Sequence, residues 1–240
     1  MEVTLLTHSS DCQRTVAFIE QLTHDNQKSY KQYNELTDED IIKNISEAIK
    51  QRDSTALNYI HFVFLIRGIS RRTIEKLSLF RPAVKNKTKY DFSELNFSMP
   101  TSIVLNPKKE RPTAKEMFLQ LLSSANNVYK FLTKTCGISQ EDAQAIVPLC
   151  MQNDLVFLLT AKDLYRIFAS RCHSSGEYRE LIDELKKSVK KAEPEIFSNV
   201  GDFCDMYGYC LYNSSSCGKK PTINTLLKSY KLLNKGDDKK

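Results

Sequence analysis

The fold is decided by the stretch Tyr59-Ile-His-Phe-Val-Phe-Leu-Ile66, which continues through Arg67-Gly-Ile-Ser70 into Arg71-Arg-Thr-Ile-Glu-Lys-Leu-Ser78. The first part is an apolar run rich in aromatic and β-branched residues, and it predicts a buried strand. Gly68 is expected to break that run, and Ser70 is placed to cap a helix that begins at Arg71. The sequence therefore predicts a strand that leads directly into a helix N-terminus.

Positive charge is concentrated on this helix and on the residues that follow it. Eight basic side chains stand against a single acidic one, and they are Arg67, Arg71, Arg72, Lys76, Arg81, Lys85, Lys87 and Lys89. Clustered cations beside a helix N-terminus attract anions, so we expect an anionic ligand here. The alternating lysines at the end of the stretch also fit a bland interpretation, in which they form one solvated face.

Composition limits the class of protein. The chain has 240 residues, 41% hydrophobic and 27% charged, which is typical of a globular protein with a sizeable core. The N-terminus has no signal-peptide pattern, and no apolar run is long enough to span a membrane. Seven dispersed cysteines without a Cys-x-x-Cys pair indicate reduced thiols. We therefore expect a cytoplasmic protein with no membrane partner.

A metal site is not expected. Cys204, Cys210 and Cys217 lie close together in sequence, but their spacing matches no common zinc-binding pattern. The net charge of +6 is moderate and does not by itself indicate nucleic acid as a partner.

The other predicted elements are mostly helical. Strands are expected near 2–7 and 155–159, and helices are expected over 11–22, from 37 to about 49, 114–136, 139–146, 162–171 and 177–191. A proline-marked loop is expected between 91 and 112, and order is expected to decay beyond Phe203. The fold class predicted is α+β, rich in helices and with a small sheet.

The order of these elements resembles the flavin-dependent thymidylate synthases. Phe62-Val-Phe-Leu-Ile-Arg-Gly-Ile-Ser-Arg71 is similar to the family's Phe-Thr-Phe…Gly-Val-Ser-Arg segment, and Arg81 and Tyr90 fall on two positions of its Arg-His-Arg signature. Val147-Pro-Leu149 and Ala161 are similar to the family's second half. The likeness runs from Glu2 to near Val200, so we expect a family-like domain over 1–203 and a C-terminal extension over 204–240 with a partly disordered tail.

The resemblance implies a ligand set and an assembly. Family members form homotetramers in which FAD, deoxyuridylate (dUMP) and a folate meet, and reduced flavin relays a methylene group onto the uracil ring. By position, Arg81 and Lys162 are implied to contact the cofactor. The positions implied to face the nucleotide are those of Arg171, Lys89, Lys87, Lys85, Lys76 and Tyr90.

Several of these positions depart from the family's pattern. Leu79 and Phe80 stand where the signature has Arg-His, Lys85 replaces its glutamate, and Asp154 replaces an arginine of the second half. Lys162 and Lys89 each replace an arginine and lose the planar fork that grips phosphate in two places. A sign reversal in a partly desolvated site costs several kcal/mol.

Three interpretations follow from this comparison. The one we favour is a degenerate paralogue that keeps the fold, has lost methyl transfer, and binds a nucleotide or another anion or pairs with an intact subunit. The second is a working FAD-dependent enzyme that converts dUMP to dTMP with methylenetetrahydrofolate and NADPH. The third is a non-enzymatic RNA-binding or scaffold protein that uses the basic stretch 67–89.

Overall fold

The computed structural model describes residues 1–24, 30–51, 54–79, 84–85, 96–106, 108 and 112–234. Eleven α-helices are formed within these ranges: α1 Cys12–His24, α2 Tyr30–Asn34, α3 Asp38–Gln51, α4 Arg71–Ser78, α5 Thr101–Val104, α6 Ala114–Lys130, α7 Gln140–Ala143, α8 Ala161–Ala169, α9 Glu177–Ala192, α10 Phe203–Tyr207 and α11 Ile223–Asn234. Short 3₁₀ segments are Thr55–Asn58, Gln144–Ile146 and Arg171–His173, and a π-helical turn covers Phe131–Thr135. The predicted helix-rich α+β class is confirmed.

The sheet has four strands: β1 Glu2–His8, β2 His61–Ser70, β3 Val84–Lys85 and β4 Gln152–Thr160, in the order β1-β2-β4-β3. Two backbone hydrogen bonds of 3.1 Å show how β2 and β4 pair. Ala161 N, just after the end of β4, donates to Ile60 O, just before the start of β2. At the other end, Arg71 N, just after β2, donates to Met151 O, just before β4. These two strands therefore run antiparallel. β3 is also antiparallel to β4, with its two residues opposite Val156 and Leu155.

β2 is the strand predicted from the apolar run, but it is longer than expected. Phe62, Phe64 and Ile66 alternate with less buried neighbours and are fully buried, as a strand with one core face requires. Gly68 does not end the strand, which continues to Ser70. Gly68 has φ +64°, a conformation that favours glycine, so the backbone kinks locally and the strand then resumes.

Side-chain caps start the helices where the sequence places them. Ser70 accepts a hydrogen bond from Thr73 N at 3.3 Å, so α4 begins at Arg71 as predicted. Thr113 and Glu116 form a complete capping box at the start of α6. The expectation for α3 is also confirmed, because Asp40 N donates to Thr37 Oγ1 at 3.2 Å.

The apolar residues of α3 and α6 are not all buried. Ile42 of α3 is 68% exposed, because it lies one position off the buried line of Ile41, Ile45 and Ala48. On α6 the buried positions are Leu122 and Tyr129, whereas Met117, Leu121 and Val128 are exposed. The described part of the chain leaves that face of α6 uncovered.

The chain forms two compact units, which we describe separately. The first comprises Met1–Thr7, Val63–Leu158 and Gly176–Leu181, and it contains a buried cluster of Tyr129, Ala143, Val147 and Met151. The second comprises the described parts of His8–Phe62, Leu159–Ser175 and Ile182–Lys240. In its core the ring of Phe197 packs against the rings of Phe62, Tyr165 and Phe168.

The C-terminal region is more regular than expected. α10 and α11 lie beyond residue 203, where the sequence predicts decaying order, and Cys210 N donates to Pro221 O at 2.8 Å between them. The tail 235–240 lies outside the described residues. The predicted domain boundary at residue 203 stays a prediction. Among the described residues, no helix has the length and apolar character needed to cross a membrane.

Candidate functional site

The N-terminus of α4 is the place where the sequence predicts an anion, and a carboxylate of the chain itself lies there. Glu177 accepts hydrogen bonds from Ser70 N at 3.1 Å and from Thr73 Oγ1 at 2.6 Å. The hydroxyls of Ser70 and Ser98 also donate to it. These four residues belong to the first unit. The anion-attracting end of α4 therefore already holds a negative charge.

The environment of Glu177 favours its ionised form. Burial of the side chain works in the opposite direction and favours the neutral acid. Hydrogen bonds from Ser70, Ser98 and Thr73 outweigh burial, so the pKa of Glu177 lies below its ordinary value. A ligand phosphate directed to the start of α4 would meet this carboxylate and be repelled by it.

Three of the four basic side chains of the stretch 67–79 have partners inside the chain. Lys76 Nζ lies 5.1 Å from the ring centre of Tyr178, which is a cation–π contact. Arg71 donates to Val147 O at 3.2 Å, and Arg67 lies 4.0 Å from the carboxylate of Glu2 on the surface. These cations stabilise the first unit as well as lending it positive charge.

The rest of the predicted basic site is described only in part. Arg81, Lys87, Lys89 and Tyr90 lie outside the described residues. Lys85 is described by its backbone alone, which pairs with Leu155 in the sheet. The roles of these residues stay predictions.

Asp154, the position with the reversed charge, has a backbone partner. Its Oδ1 accepts a hydrogen bond from Gly68 N at 2.9 Å. The carboxylate thus holds the kink of β2 in place. An arginine at this position could not accept that bond, because its guanidinium has donors only.

Arg171, the arginine that keeps its family position, is paired with two carboxylates in the second unit. It makes a two-pronged contact with Asp183, in which Nε donates to Oδ1 and an Nη donates to Oδ2 at 3.1 Å. Its other Nη lies 3.5 Å from Asp202 Oδ1. Hydrogen bonding to Asp183 raises the pKa of Arg171, although burial opposes the shift. The fork that would grip a phosphate is engaged on both sides.

Lys162 lies in the first turn of α8, also in the second unit. Thr160 caps this helix and forms a capping box with Asp163, whose carboxylate accepts from Thr160 N at 3.0 Å. Lys162 is half-buried beside this cap. The structure places Lys162 and Arg171 in one unit and Lys76 in the other.

The cysteines are all free, and the three near the C-terminus do not form a metal site among the described residues. The group that does have metal-binding geometry is His8, Cys12 and Glu193, which the sequence analysis misses. His8 and Cys12 are four positions apart, which is a visible signal. Glu193 joins them only through the fold, so no local spacing could have identified it.

Comparisons with known proteins agree on one family. A family model described as "Thymidylate synthase complementing protein" matches residues 4–195. A flavin-dependent thymidylate synthase from Geobacter sulfurreducens is 22% identical over 234 residues, covering 97% of this chain and all of the relative. The same enzyme from Sulfurisphaera tokodaii is 26% identical over 209 residues, covering 85% of this chain and 79% of the relative.

Solved structures share the fold. A flavin-dependent thymidylate synthase from Helicobacter pylori, complexed with FAD and dUMP, has a TM-score of 0.58 and 17% identity, covering 84% of this chain and all of that one. A UMP/dUMP methylase from Streptomyces cacaoi, bound with 5-Br dUMP, has a TM-score of 0.62 and 16% identity. The match covers 82% of this chain and 93% of the methylase. Identities this low support a shared fold and carry no site chemistry.

Proposed function

The chain belongs to the flavin-dependent thymidylate synthase family, and from that premise we propose that it is a degenerate member. It keeps the family's fold, has lost FAD-dependent methyl transfer to dUMP, and retains binding of a nucleotide or another phosphate-bearing anion. The observation that carries this proposal is the state of Arg171, which two carboxylates of its own unit hold.

The pairing of Arg171 weakens any phosphate contact at that position. A phosphate must displace Asp183 or Asp202, or share the guanidinium with them, and it meets two negative charges in doing so. Charge-assisted bonds to a carboxylate contribute about 1.5–3 kcal/mol each, so this displacement takes up much of what a phosphate contact would supply. Nucleotide binding is therefore expected to be weak.

FAD is a candidate cofactor, because the relatives are named flavin-dependent and the Helicobacter pylori structure holds FAD. The described residues do not fit it well. Leu79, where the signature has arginine, is 84% exposed and offers no donor to a diphosphate. Lys162 keeps a positive charge without the arginine fork. We therefore assign no reaction step to a flavin in this chain.

Retained anion binding is proposed to use cationic side chains at the positions that the resemblance assigns to ligands. These residues are Lys76, Arg81, Lys85, Lys87, Lys89 and Arg171, together with Tyr90, which follows Lys89 in sequence. Lysines act as point charges, so they tolerate several phosphate ligands and select weakly among them. This chemistry supports binding and gives little support for the close positioning that a flavin reaction requires.

Assembly is part of the proposal. The uncovered face of α6, with Leu121 63% and Val128 48% exposed, is apolar enough to form an interface with another subunit. We propose a homotetramer or a hetero-oligomer with an intact paralogue, in a cytoplasmic setting. Light scattering of the purified chain tests this, and a monomer at micromolar concentration would contradict the homotetramer.

The two alternatives differ in what supports them. A working enzyme that makes dTMP with methylenetetrahydrofolate and NADPH would also fit the family match over 4–195. Tight binding of FAD by the purified chain would favour that alternative. An RNA-binding or scaffold protein of another class is not favoured, because the same match accounts for most of the chain.

The test is ligand binding by the purified chain. We expect no flavin absorbance and no uptake of added FAD, together with measurable binding of dUMP by calorimetry. Arg171→Ala should abolish that binding, whereas Arg179→Ala, an exposed arginine of α9, serves as the matched control and should leave it unchanged. A yellow protein that binds FAD tightly would contradict the proposal.

A further inference from the structure

A cluster of three metal-ligating side chains lies in the second unit. His8 is the last residue of β1, Cys12 is the first residue of α1, and Glu193 follows the end of α9. His8 Nδ1 lies 3.6 Å from a carboxylate oxygen of Glu193 and 3.9 Å from Cys12 Sγ. The three ligand atoms all lie within 4.8 Å of one another. None of these residues has a role in the family resemblance.

The distances are close to those of a bound ion. Zinc lies about 2.3 Å from a sulfur ligand and about 2.0–2.2 Å from a nitrogen or oxygen ligand. In tetrahedral geometry these bond lengths place a nitrogen and an oxygen ligand about 3.4 Å apart, and a sulfur and a nitrogen ligand about 3.6 Å apart. The observed separations are 3.6 Å and 3.9 Å. A shift of about 0.2–0.3 Å in each of these two pairs would bring them to the separations expected around zinc.

The backbone and a ring contact hold the ligands in place. Asp11, between the histidine and the cysteine, has φ +48°, a left-handed conformation that turns the chain sharply from β1 into α1. The imidazole of His8 stacks on Phe62, with ring centres 5.7 Å apart. The carbonyl oxygen of Ser9 accepts a hydrogen bond from Cys12 Sγ at 3.1 Å and lies 3.0 Å from His8 Nδ1.

The cluster is electronegative. Cys12 is 1% exposed and Glu193 is 8% exposed, so their interaction is poorly screened by water. A buried thiol beside a buried carboxylate favours a cation between them, and that cation would take the place of the thiol proton.

We propose that His8, Cys12 and Glu193 form a binding site for a borderline-soft divalent cation of the zinc class. The mixed nitrogen, sulfur and oxygen set suits this class, whereas magnesium and calcium prefer oxygen ligands alone. The side chain of His8 is 33% exposed, so water reaches the ion and completes its coordination.

Cobalt is the direct probe, because a Co²⁺–thiolate bond gives a charge-transfer absorption band that nitrogen and oxygen ligands do not give. The full chain is stripped with a chelator under reducing conditions and titrated with Co²⁺, and Zn²⁺ is then added as competitor. We expect one equivalent of Co²⁺ per chain, with a charge-transfer band that Zn²⁺ abolishes.

Variants assign the ligands. Cys12→Ser should remove the charge-transfer band, and His8→Ala, at a more exposed position, should lower the affinity at least tenfold. Cys136→Ser, at an exposed cysteine, is the matched control and should leave both unchanged. Circular dichroism verifies that each variant is folded. The proposal is overturned if folded wild-type chain gives no band, if the band persists in Cys12→Ser, or if His8→Ala binds with unchanged affinity.

Discussion

Replacing Glu177 by glutamine tests how the start of α4 is held. The carboxylate receives hydrogen bonds from Ser70, Thr73 and Ser98, and it lies where the helix dipole favours negative charge. Hydrogen bonds to a charged group contribute about 1.5–3 kcal/mol and neutral ones about 0.5–1.5, so each bond loses about 1 kcal/mol when the charge is removed. The glutamine NH₂ also faces a donor and cannot accept from it.

The net cost is smaller than the sum of these bonds. Glu177 is half-buried, so water screens part of the interaction, and removing the charge also removes its desolvation cost. We expect the free energy of unfolding to fall by about 2–3 kcal/mol and the melting temperature to fall by roughly 5–10 °C. Urea denaturation followed by circular dichroism measures the change.

The pH dependence supplies an independent check. The pKa of Glu177 is lowered in the folded chain, so its contribution to stability is fully present above about pH 4.5 and is lost as the pH falls through the folded value. Glu177→Gln should therefore lose less stability than wild type between neutral pH and about pH 3. Glu180→Gln, on the exposed side of the same helix turn, is the matched control. Equal stability of Glu177→Gln and Glu180→Gln at pH 7 would refute the reasoning.

Three further predictions concern other residues. Asp183→Asn should strengthen dUMP binding several-fold by freeing one side of the Arg171 guanidinium, and calorimetry that finds weaker binding would contradict the assignment of that arginine. Thr113→Ala should lower the free energy of unfolding by about 1 kcal/mol through loss of the α6 cap, which urea denaturation measures. In the metal-free chain at pH 8, iodoacetamide should modify exposed Cys136 within minutes and leave Cys12 unmodified. Burial and the charge of Glu193 raise the pKa of Cys12 to about 12, so its thiol stays protonated at this pH. Mass spectrometry that shows equal labelling of the two cysteines would contradict this.

Local patterns predicted the elements that local physics determines. The apolar run of β2, the Ser70 cap and the start of α4 are all readable from adjacent residues, and the structure confirms them. The end of β2 was not readable in this way, because a strand can continue through a glycine when a distant side chain holds the kink. Asp154 does so here, 86 positions away from Gly68 in sequence.

The candidate site was less predictable because its interactions are long-range. The sequence drew attention to the start of α4 and to Arg171, and their roles in ligand binding stay predictions. It gave no sign that Glu177, 107 positions after Ser70, supplies the negative charge at the start of α4. Asp183 and Asp202 likewise lie on later segments than Arg171. Which cations remain available to a ligand depends on such pairings, and these are decided by the tertiary fold.

Loss of methyl transfer is the central claim, and genetic complementation tests it most directly. The chain is expressed in a bacterial strain that lacks its own thymidylate synthase and requires thymidine, with the Geobacter sulfurreducens relative expressed in parallel as the positive control. Immunoblotting verifies that both proteins accumulate. We predict growth without thymidine for the relative and no growth for this chain. Growth of the strain that carries this chain, in medium without thymidine, would contradict the account.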